Sequence, residues 1–297
     1  MQNATAYQAQ ANMRGLMMMC LAFFLFSTGD TMAKILSMHL HALQIVWARQ
    51  TGLMLVALLL LARKGPALLR TASPGLQMLR GALAVASAIC FITAIAYVPL
   101  ADAVAVTFIA PFLVTILGAL ILREHVNSGH WVAIALGFVG VMIVIRPGLG
   151  VFHPSIFLVA LAAGFFALRQ ILSRALGATG TTATTLFYTA ATSFGLVCLP
   201  LPFVWEWPTE PLWILIMIAI GFLAAGGETL VIRAFETAEA VVIAPVHYSL
   251  IIWATFYGWL VFGQLPDIWT WIGTGIICAT GIYILRQQRP TSRRIGP

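Results

Sequence analysis

Several ionisable or phenolic side chains lie inside long apolar stretches of the sequence, and seven of them could do chemistry there. They are Asp30, Lys34, Arg49, Arg169, Glu228, His247 and Tyr248. If these stretches cross a bilayer, a charge at its centre costs at least about 2.5–3.5 kcal/mol on insertion scales. We therefore expect each charged group either to be neutralised by a partner or to contact something that passes through the protein.

The first three of these residues favour a structural ion pair. Asp30 and Lys34 are four residues apart, so that a helix would place them on one face and let them neutralise each other. Arg49 lies in the outer half of the next apolar run, from which it could extend to the outer surface. It could instead bind Asp30 across the helices, and we favour that structural role. Asp30, Lys34 and Arg49 together form the predicted ion-pair group.

Arg169 and Glu228 are the groups suited to binding a charged ligand. Arg169 follows the run AGFFAL and could meet a carboxylate. Glu228 follows GFLAAGG, whose small residues allow close helix packing, so Glu228 should face protein instead of lipid. Glu228 could pair with Arg169 or Arg233, or it could bind an amine; an Arg169–Glu228 ion pair would remove both groups from ligand binding.

Two similar segments, ADAVAVTFIAPF at 101–112 and AEAVVIAPVHYS at 238–249, each carry a proline within an apolar run. Proline lacks the N–H that a helix needs, so Pro111 and Pro245 should each loosen or kink a helix, which at membrane depth is tolerated where it lines a cavity. His247 could be a packed core residue or a cavity residue. The predicted ligand-binding residues are Phe108, Pro111, Phe166, Arg169, Glu228, His247, Tyr248 and Trp253.

Enzyme motifs are missing from the sequence. There is no HExxH, no GxSxG, and no second membrane aspartate that would form a protease dyad with Asp30. The cysteines and histidines show no metal-ligand spacing, and no GxxxxGK[ST] phosphate loop occurs. We expect neither an enzyme nor a metal or cofactor site, and no ATP-driven step within this chain.

The elements that hold these residues are membrane helices. Of the 297 residues 61% are hydrophobic and 8% are charged, whereas a soluble domain carries about 25% charged residues. The apolar runs approach the ~20 residues that a helix needs to cross the hydrocarbon core. They cover residues 15–36, 42–62, 76–97, 101–122, 129–146, 154–173, 182–203, 211–232, 239–262 and 268–286.

Basic residues set the predicted orientation. Thirteen of the 16 lie towards one set of helix ends, and Lys34, Arg49 and Arg146 are the exceptions. By the positive-inside rule this bias places both termini in the cytoplasm of a multi-pass protein. It also accounts for the basic charge without a nucleic-acid partner.

The ten runs divide into two sets of five. Besides the two proline segments, HWVAIALGFVGVMIVIR resembles TWIGTGIICATGIYILR, and DTMAKILS resembles QILSRALG. The order of the three pairs predicts two five-helix repeats, at 1–147 and 150–297. Because five is odd, the second repeat enters the membrane from the opposite side, an inverted repeat typical of secondary transporters.

The runs YVPLADAVAVTFIAPFLVTILGALILREHVNSGHWVAIALGFVGVMIVIRPG and AEAVVIAPVHYSLIIWATFYGWLVFGQLPDIWTWIGTGIICATGIYILR resemble the two EamA domains of the drug/metabolite transporter superfamily. The resemblance covers nearly the whole chain. It implies a ten-helix transporter in the bacterial inner membrane, similar to carriers of small metabolites that include aromatic amino acids, S-adenosylmethionine and riboflavin. We expect export of amino acids by alternating access, with another metabolite or a passive channel as alternatives, and a monomer or weak dimer.

Overall fold

The computed structural model describes residues 2–123, 128–146, 153–176, 182–238 and 244–287. The predicted repeat boundaries at 147 and 150, and Glu239 in the second proline segment, lie outside these ranges. Throughout the described residues the regular structure is helical. The helices are α1 (Gln2–Leu36), α2 (Ala42–Lys64), α3 (Pro74–Ile95), α4 (Leu100–Thr107), α5 (Ala110–Ile121), α6 (Ser128–Ile145), α7 (Ile156–Leu176), α8 (Thr182–Cys198), α9 (Leu201–Val204), α10 (Pro211–Thr237), α11 (Leu250–Phe262) and α12 (Ile268–Gln287).

Length and composition make six helical stretches of the described ranges able to cross a membrane. They are Gln10–Leu36, Ala42–Lys64, Pro74–Ile95, Leu100–Ile121, Ile156–Ser173 and Pro211–Ala234. Three further helices are apolar but shorter, at Trp131–Ile145, Val246–Phe262 and Ile268–Tyr283. With α8 they account for the ten predicted spans of an all-α membrane protein.

Prolines divide two of the predicted continuous spans. The fourth span is α4 followed by α5, because Pro111 lacks the N–H that would bond to the carbonyl of Thr107 in a continuous helix. The seventh span, predicted as one run over 182–203, is interrupted at Leu199 and Pro200 between α8 and α9. In the ninth span a 3₁₀ helix, Ala244–Ser249, precedes α11.

Contacts between helices of one half have equivalents when each helix is replaced by its counterpart in the other half. Matching the spans in order pairs α1 with α7, α2 with α8, α3 with α10, α4–α5 with α11, and α6 with α12. The contact of α1 with α10 then corresponds to that of α7 with α3, and the contact of α2 with α10 corresponds to that of α8 with α3. Three contacts join counterparts directly: α2 with α8, α4 with α11, and α6 with α12. The two halves are therefore structural repeats that share one core.

The bundle end where α1 ends and α2 begins is called the outer end here, after the predicted orientation. His41 starts α2 there: its Nδ1 accepts a hydrogen bond from Leu43 N, and Gln44 Oε1 accepts one from His41 N. At the opposite, inner end Gly65 closes α2 with a φ of +74°, a left-handed value that glycine adopts without strain. These caps fix where the second span begins and ends.

Candidate transport pathway

Asp30 and Arg49 form an ion pair in the outer half of the bundle. The Nη1 of Arg49 on α2 lies 2.9 Å from Oδ1 of Asp30 on α1, with 25% and 13% of the two side chains exposed. The guanidinium also lies over the Phe26 ring, 5.9 Å from its centroid. Asp30 is therefore paired with Arg49 across the two helices. This is the structural role that the sequence favours for Arg49.

Lys34 has a different partner from the one that its spacing predicts. Its Nζ donates a hydrogen bond to the carbonyl of Val98 at 2.5 Å and lies 5.2 Å from the Phe262 ring centroid. Helical spacing does place Asp30 and Lys34 on one face, but α2 is next to Asp30 whereas the turn between α3 and α4 is next to Lys34. A helix-end carbonyl carries partial negative charge, and Val98, just past the end of α3, supplies it. The prediction that Lys34 pairs with Asp30 was wrong.

A small cleft lies beside the Asp30–Arg49 pair, between α1, α2 and α10. Its volume is about 10 Å³, about the space of one water molecule, and its walls are Leu25, Phe26, Gly29, Arg49, Ile220 and Ala224. Clefts that hold small-molecule ligands usually measure about 300–1,000 Å³. The bundle in this conformation is therefore narrow at the level of the ion pair.

The two proline segments contact each other in the centre of the molecule. The Phe108 ring, at the α4–α5 break, lies 5.8 Å from the His247 ring and 5.1 Å from the Tyr248 ring, centroid to centroid. Phe108 is fully buried, so its predicted place on an open cavity wall is filled by packing here. Pro111, which follows the break, is half-buried and accepts at its carbonyl a hydrogen bond from Thr115 Oγ1 at 3.0 Å.

Aromatic residues of α1 extend this contact. Phe23 packs edge-on against His247 at 5.2 Å, and Phe24 against Trp253 at 5.0 Å, both between ring centroids. The hydroxyl of Tyr248 is buried, and within the described part of the chain it has no hydrogen-bond partner. The sequence-predicted residues Phe108, His247 and Tyr248 thus belong to one aromatic cluster with an unused hydroxyl. Trp253 packs beside it, on the next residue of α1.

Arg169 and Glu228 lie in the inner half of the bundle, close enough for their charges to interact. The Arg169 guanidinium lies over the Phe166 ring, 4.8 Å from its centroid, and its Nε is buried with no partner among the described residues. The charge of Glu228 acts on this guanidinium, yet no nitrogen–oxygen pair between them falls within the 4.0 Å of an ion pair. Within the described ranges the carboxylate of Glu228 has neither a hydrogen bond nor an ion pair, including with Arg233. Both groups remain able to bind something else.

Arg80 is a polar residue of this region that sequence reasoning missed. It was counted only among the basic residues that orient the chain. Its Nε donates to Ser173 Oγ on α7 at 2.7 Å, and its Nη1 donates to Thr189 Oγ1 on α8. Its position in the sequence could have indicated this role. Arg80 is six residues into α3, about 9 Å from the start of the helix, which is deeper than a residue at the membrane surface.

A second polar group lies at the outer end, where Arg146 pairs with Asp267 at 2.5 Å. Asp267 Oδ1 also accepts from Thr270 N, and Thr270 Oγ1 donates to Asp102 at 2.9 Å. Partial burial by itself would raise the pKa of Asp267, but hydrogen bonds from Thr270 and the Arg146 charge outweigh it and hold the pKa below its usual range. These contacts join the end of the first repeat to the last span of the second.

The interior holds an outer ion pair, a central aromatic cluster, and an inner set of charges for which the described part of the chain provides no ion-pair partner. Two structural repeats surround them. Paired repeats around a polar interior are typical of membrane transporters, in which the solute binds between the repeats.

The chain belongs to the EamA-like transporter family, whose profile matches residues 13–146 and 153–286, one match in each half. The protein is therefore a multi-pass membrane transporter of small metabolites and not an enzyme.

Curated relatives transport several kinds of metabolite. The pseudopaline exporter CntI of Pseudomonas aeruginosa is 29% identical over 93% of this chain and 97% of its own length. A riboflavin transporter of Vibrio cholerae is 32% identical over 76% of each chain. An S-adenosylmethionine uptake transporter of Rickettsia prowazekii is 25% identical over 93% of this chain and 94% of its own length.

A solved crystal structure has the same fold. It aligns with a TM-score of 0.63 over 95% of this chain and 99% of its own, at 16% identity. This similarity extends over both repeats and concerns the fold alone.

Proposed function

We propose that this protein is a secondary transporter that exports an amino-acid-type zwitterion with an apolar or aromatic body across the bacterial inner membrane by alternating access. The observation that carries the proposal is the pair Arg169 and Glu228. Each is deep in the bundle, and neither is neutralised by the other at ion-pair distance. A guanidinium suits a carboxylate and a carboxylate suits an amine, so a zwitterion satisfies both.

The aromatic cluster supports the apolar part of the proposed substrate. Phe23 contacts His247, while Phe26, one turn along α1, lies against Gly227 beside Glu228: a Cβ added at Gly227 would come within 3.0 Å of its ring. The segment Phe23–Phe26 thus links the aromatic cluster to the level of Glu228. An aromatic or aliphatic body could replace the contact between Phe108 and His247 while its charged end is held by Arg169 and Glu228.

Export is part of the proposal because the exporter CntI aligns over nearly its whole length with this chain. Uptake transporters are also among the relatives, so the experiment has to measure the direction of transport. A flavin is the second candidate substrate, favoured by the 32% identity to a riboflavin transporter.

Counterflow in proteoliposomes tests the proposal. Vesicles are loaded with one unlabelled compound and assayed for accumulation of the same compound in labelled form. The compounds are phenylalanine, leucine, serine, riboflavin and S-adenosylmethionine. We expect phenylalanine and leucine to be accumulated and riboflavin to be excluded. Arg169→Gln and Glu228→Gln should each lower the transport rate about tenfold or more, because each loses a hydrogen bond to a charged group.

The matched control is Arg63→Gln, which removes an exposed arginine at the inner end of α2 and should leave the rate unchanged. Accumulation of riboflavin without amino acids would replace the zwitterion proposal by the flavin one. Flux without counterflow would instead indicate a passive channel. Inside-out and right-side-out vesicles, compared under one gradient, report the direction.

We also propose that both termini are cytoplasmic, from the bias of the basic residues. Tags at positions 1 and 297 should then react with an impermeant reagent only after the inner face of the membrane is opened. A tag placed in the loop at Glu206, next to Trp205 and Trp207, should react in intact cells. Labelling of only one terminus from outside would contradict the predicted ten spans, and labelling of both would contradict the orientation predicted from the basic residues.

A further inference from the structure

Among the residues that the structure describes, the groups that hydrogen-bond Arg80 are neutral. Its two donated hydrogen bonds go to the hydroxyl oxygens of Ser173 and Thr189. Those hydroxyls in turn donate to backbone carbonyls, Ser173 to Arg169 O at 2.8 Å and Thr189 to Thr185 O at 2.7 Å. The hydroxyls therefore fix the position of the guanidinium but do not neutralise its charge.

A guanidinium carries five N–H donors, and this arrangement uses two of those of Arg80. The Nη2 atom has no partner in the described part of the chain, and it is not among the buried unpartnered atoms, so it remains accessible. Arg80 is thus preorganised with three N–H donors unused by the described residues, both on Nη2 and one on Nη1. Donors on these two adjacent nitrogens suit the two oxygens of a carboxylate.

Among the described residues, the three inner charges that interact do not balance. Arg80, Arg169 and Glu228 act on one another, and two guanidiniums with one carboxylate leave this group one net positive charge. In the low-dielectric interior such an excess is unfavourable unless an anion compensates it. A zwitterion, with no net charge, would occupy Arg169 and Glu228 and leave the charge of Arg80 uncompensated.

We propose that Arg80 binds a second carboxylate of the substrate, and that the preferred substrate is an amino-acid derivative with two carboxylates, one amine and a net charge of −1. One carboxylate binds Arg169, the amine binds Glu228, and the second carboxylate binds Arg80. This inference rests on the proposed function, because it extends the same zwitterion site. Arg80 is then a specificity-determining residue and not only a link between α3, α7 and α8.

Two probes of one body test the inference: L-phenylalanine and N-carboxymethyl-L-phenylalanine, which adds a second carboxylate and keeps the amine and the ring. Binding to the purified full-length protein is followed as the ligand-dependent rise in its thermal midpoint, which increases with the ratio of ligand concentration to Kd. We expect the diacid to bind the wild-type protein about tenfold or more tightly than phenylalanine. In Arg80→Gln this preference should vanish while phenylalanine binding stays the same.

Two further variants separate binding from folding. Arg80→Lys keeps the charge but not the planar fork, so it should retain part of the preference and serves if Arg80→Gln does not fold. Arg63→Gln removes an exposed arginine at the same end and should keep the full preference. A uniform loss of binding for both probes in the Arg80 variants would show that Arg80 has only a structural role.

The wild-type comparison distinguishes the two proposals. If phenylalanine stabilises the protein and the diacid does so no better, the second-carboxylate inference is overturned and the zwitterion proposal stands. If neither compound stabilises it, the zwitterion proposal is overturned as well.

Discussion

Replacing Asp30 by asparagine is expected to lower the free energy of unfolding by about 3 kcal/mol, because it leaves the Arg49 charge without its partner inside the bundle. Removing one member of a buried pair typically costs about 3–5 kcal/mol. We expect the lower end of that range, since 25% of the Arg49 side chain is exposed. The measurements are the yield of monodisperse protein in detergent and its thermal midpoint.

The double variant Asp30→Asn with Arg49→Gln should recover most of the loss, because both charges are then absent and the two amides can bond to each other. Glu206→Gln, in an exposed outer loop, is the matched control and should leave the midpoint unchanged. Normal yield of Asp30→Asn together with lost transport would assign Asp30 to the substrate instead of to structure.

Replacing Gly52 by leucine is expected to prevent folding of the bundle. Gly52 on α2 lies against Gly221 on α10, and a Cβ added at Gly52 would stand 2.7 Å from the Cα of Gly221. Overfilling a packed contact usually costs about 1–3 kcal/mol and sometimes more. Because the obstructing atoms are backbone and cannot rotate away, we expect at least about 3 kcal/mol here.

The control for this prediction is Gly195→Leu, the same substitution on α8 at a position where an added Cβ meets nothing within 4 Å. It should fold normally, and both variants are compared by yield and thermal midpoint. A folded Gly52→Leu protein with an unchanged midpoint would mean that α2 and α10 do not cross at backbone contact.

Features that depend on one helix, or on composition, could be predicted from the sequence. The apolar runs gave the spans, and Pro111 gave the break between α4 and α5, because a missing N–H acts locally. The pairing of Arg49 with Asp30 was also within reach, since few opposite charges lie at the same depth. Repeated segments indicated the two halves, and the family profile matches each half once.

Features that depend on which helices are neighbours could not be predicted. Lys34 bonds to the carbonyl of Val98 because the α3–α4 turn lies beside it, and a sequence does not record that proximity. Phe108 is buried because the two proline segments pack against each other. Arg80 was classed with the surface charges, since Ser173 and Thr189, which hold it, are distant in the sequence. The roles of all these residues in substrate binding stay predictions.

Because helix contacts in one half have equivalents in the other, matched variants should shift the equilibrium between inward-open and outward-open states. The α2–α10 contact at Gly52 and Gly221 has its counterpart in the α3–α8 contact at Gly81, where an added Cβ would lie 2.6 Å from Thr192 Cβ. In an inverted repeat, one contact tightens on opening to one side of the membrane as its counterpart tightens on opening to the other. Substitutions next to these two contacts that leave the protein folded should therefore shift the inward-to-outward equilibrium in opposite directions. The duplicated architecture supplies a pair of opposed adjustments, and a protein carrying both should return towards the original balance.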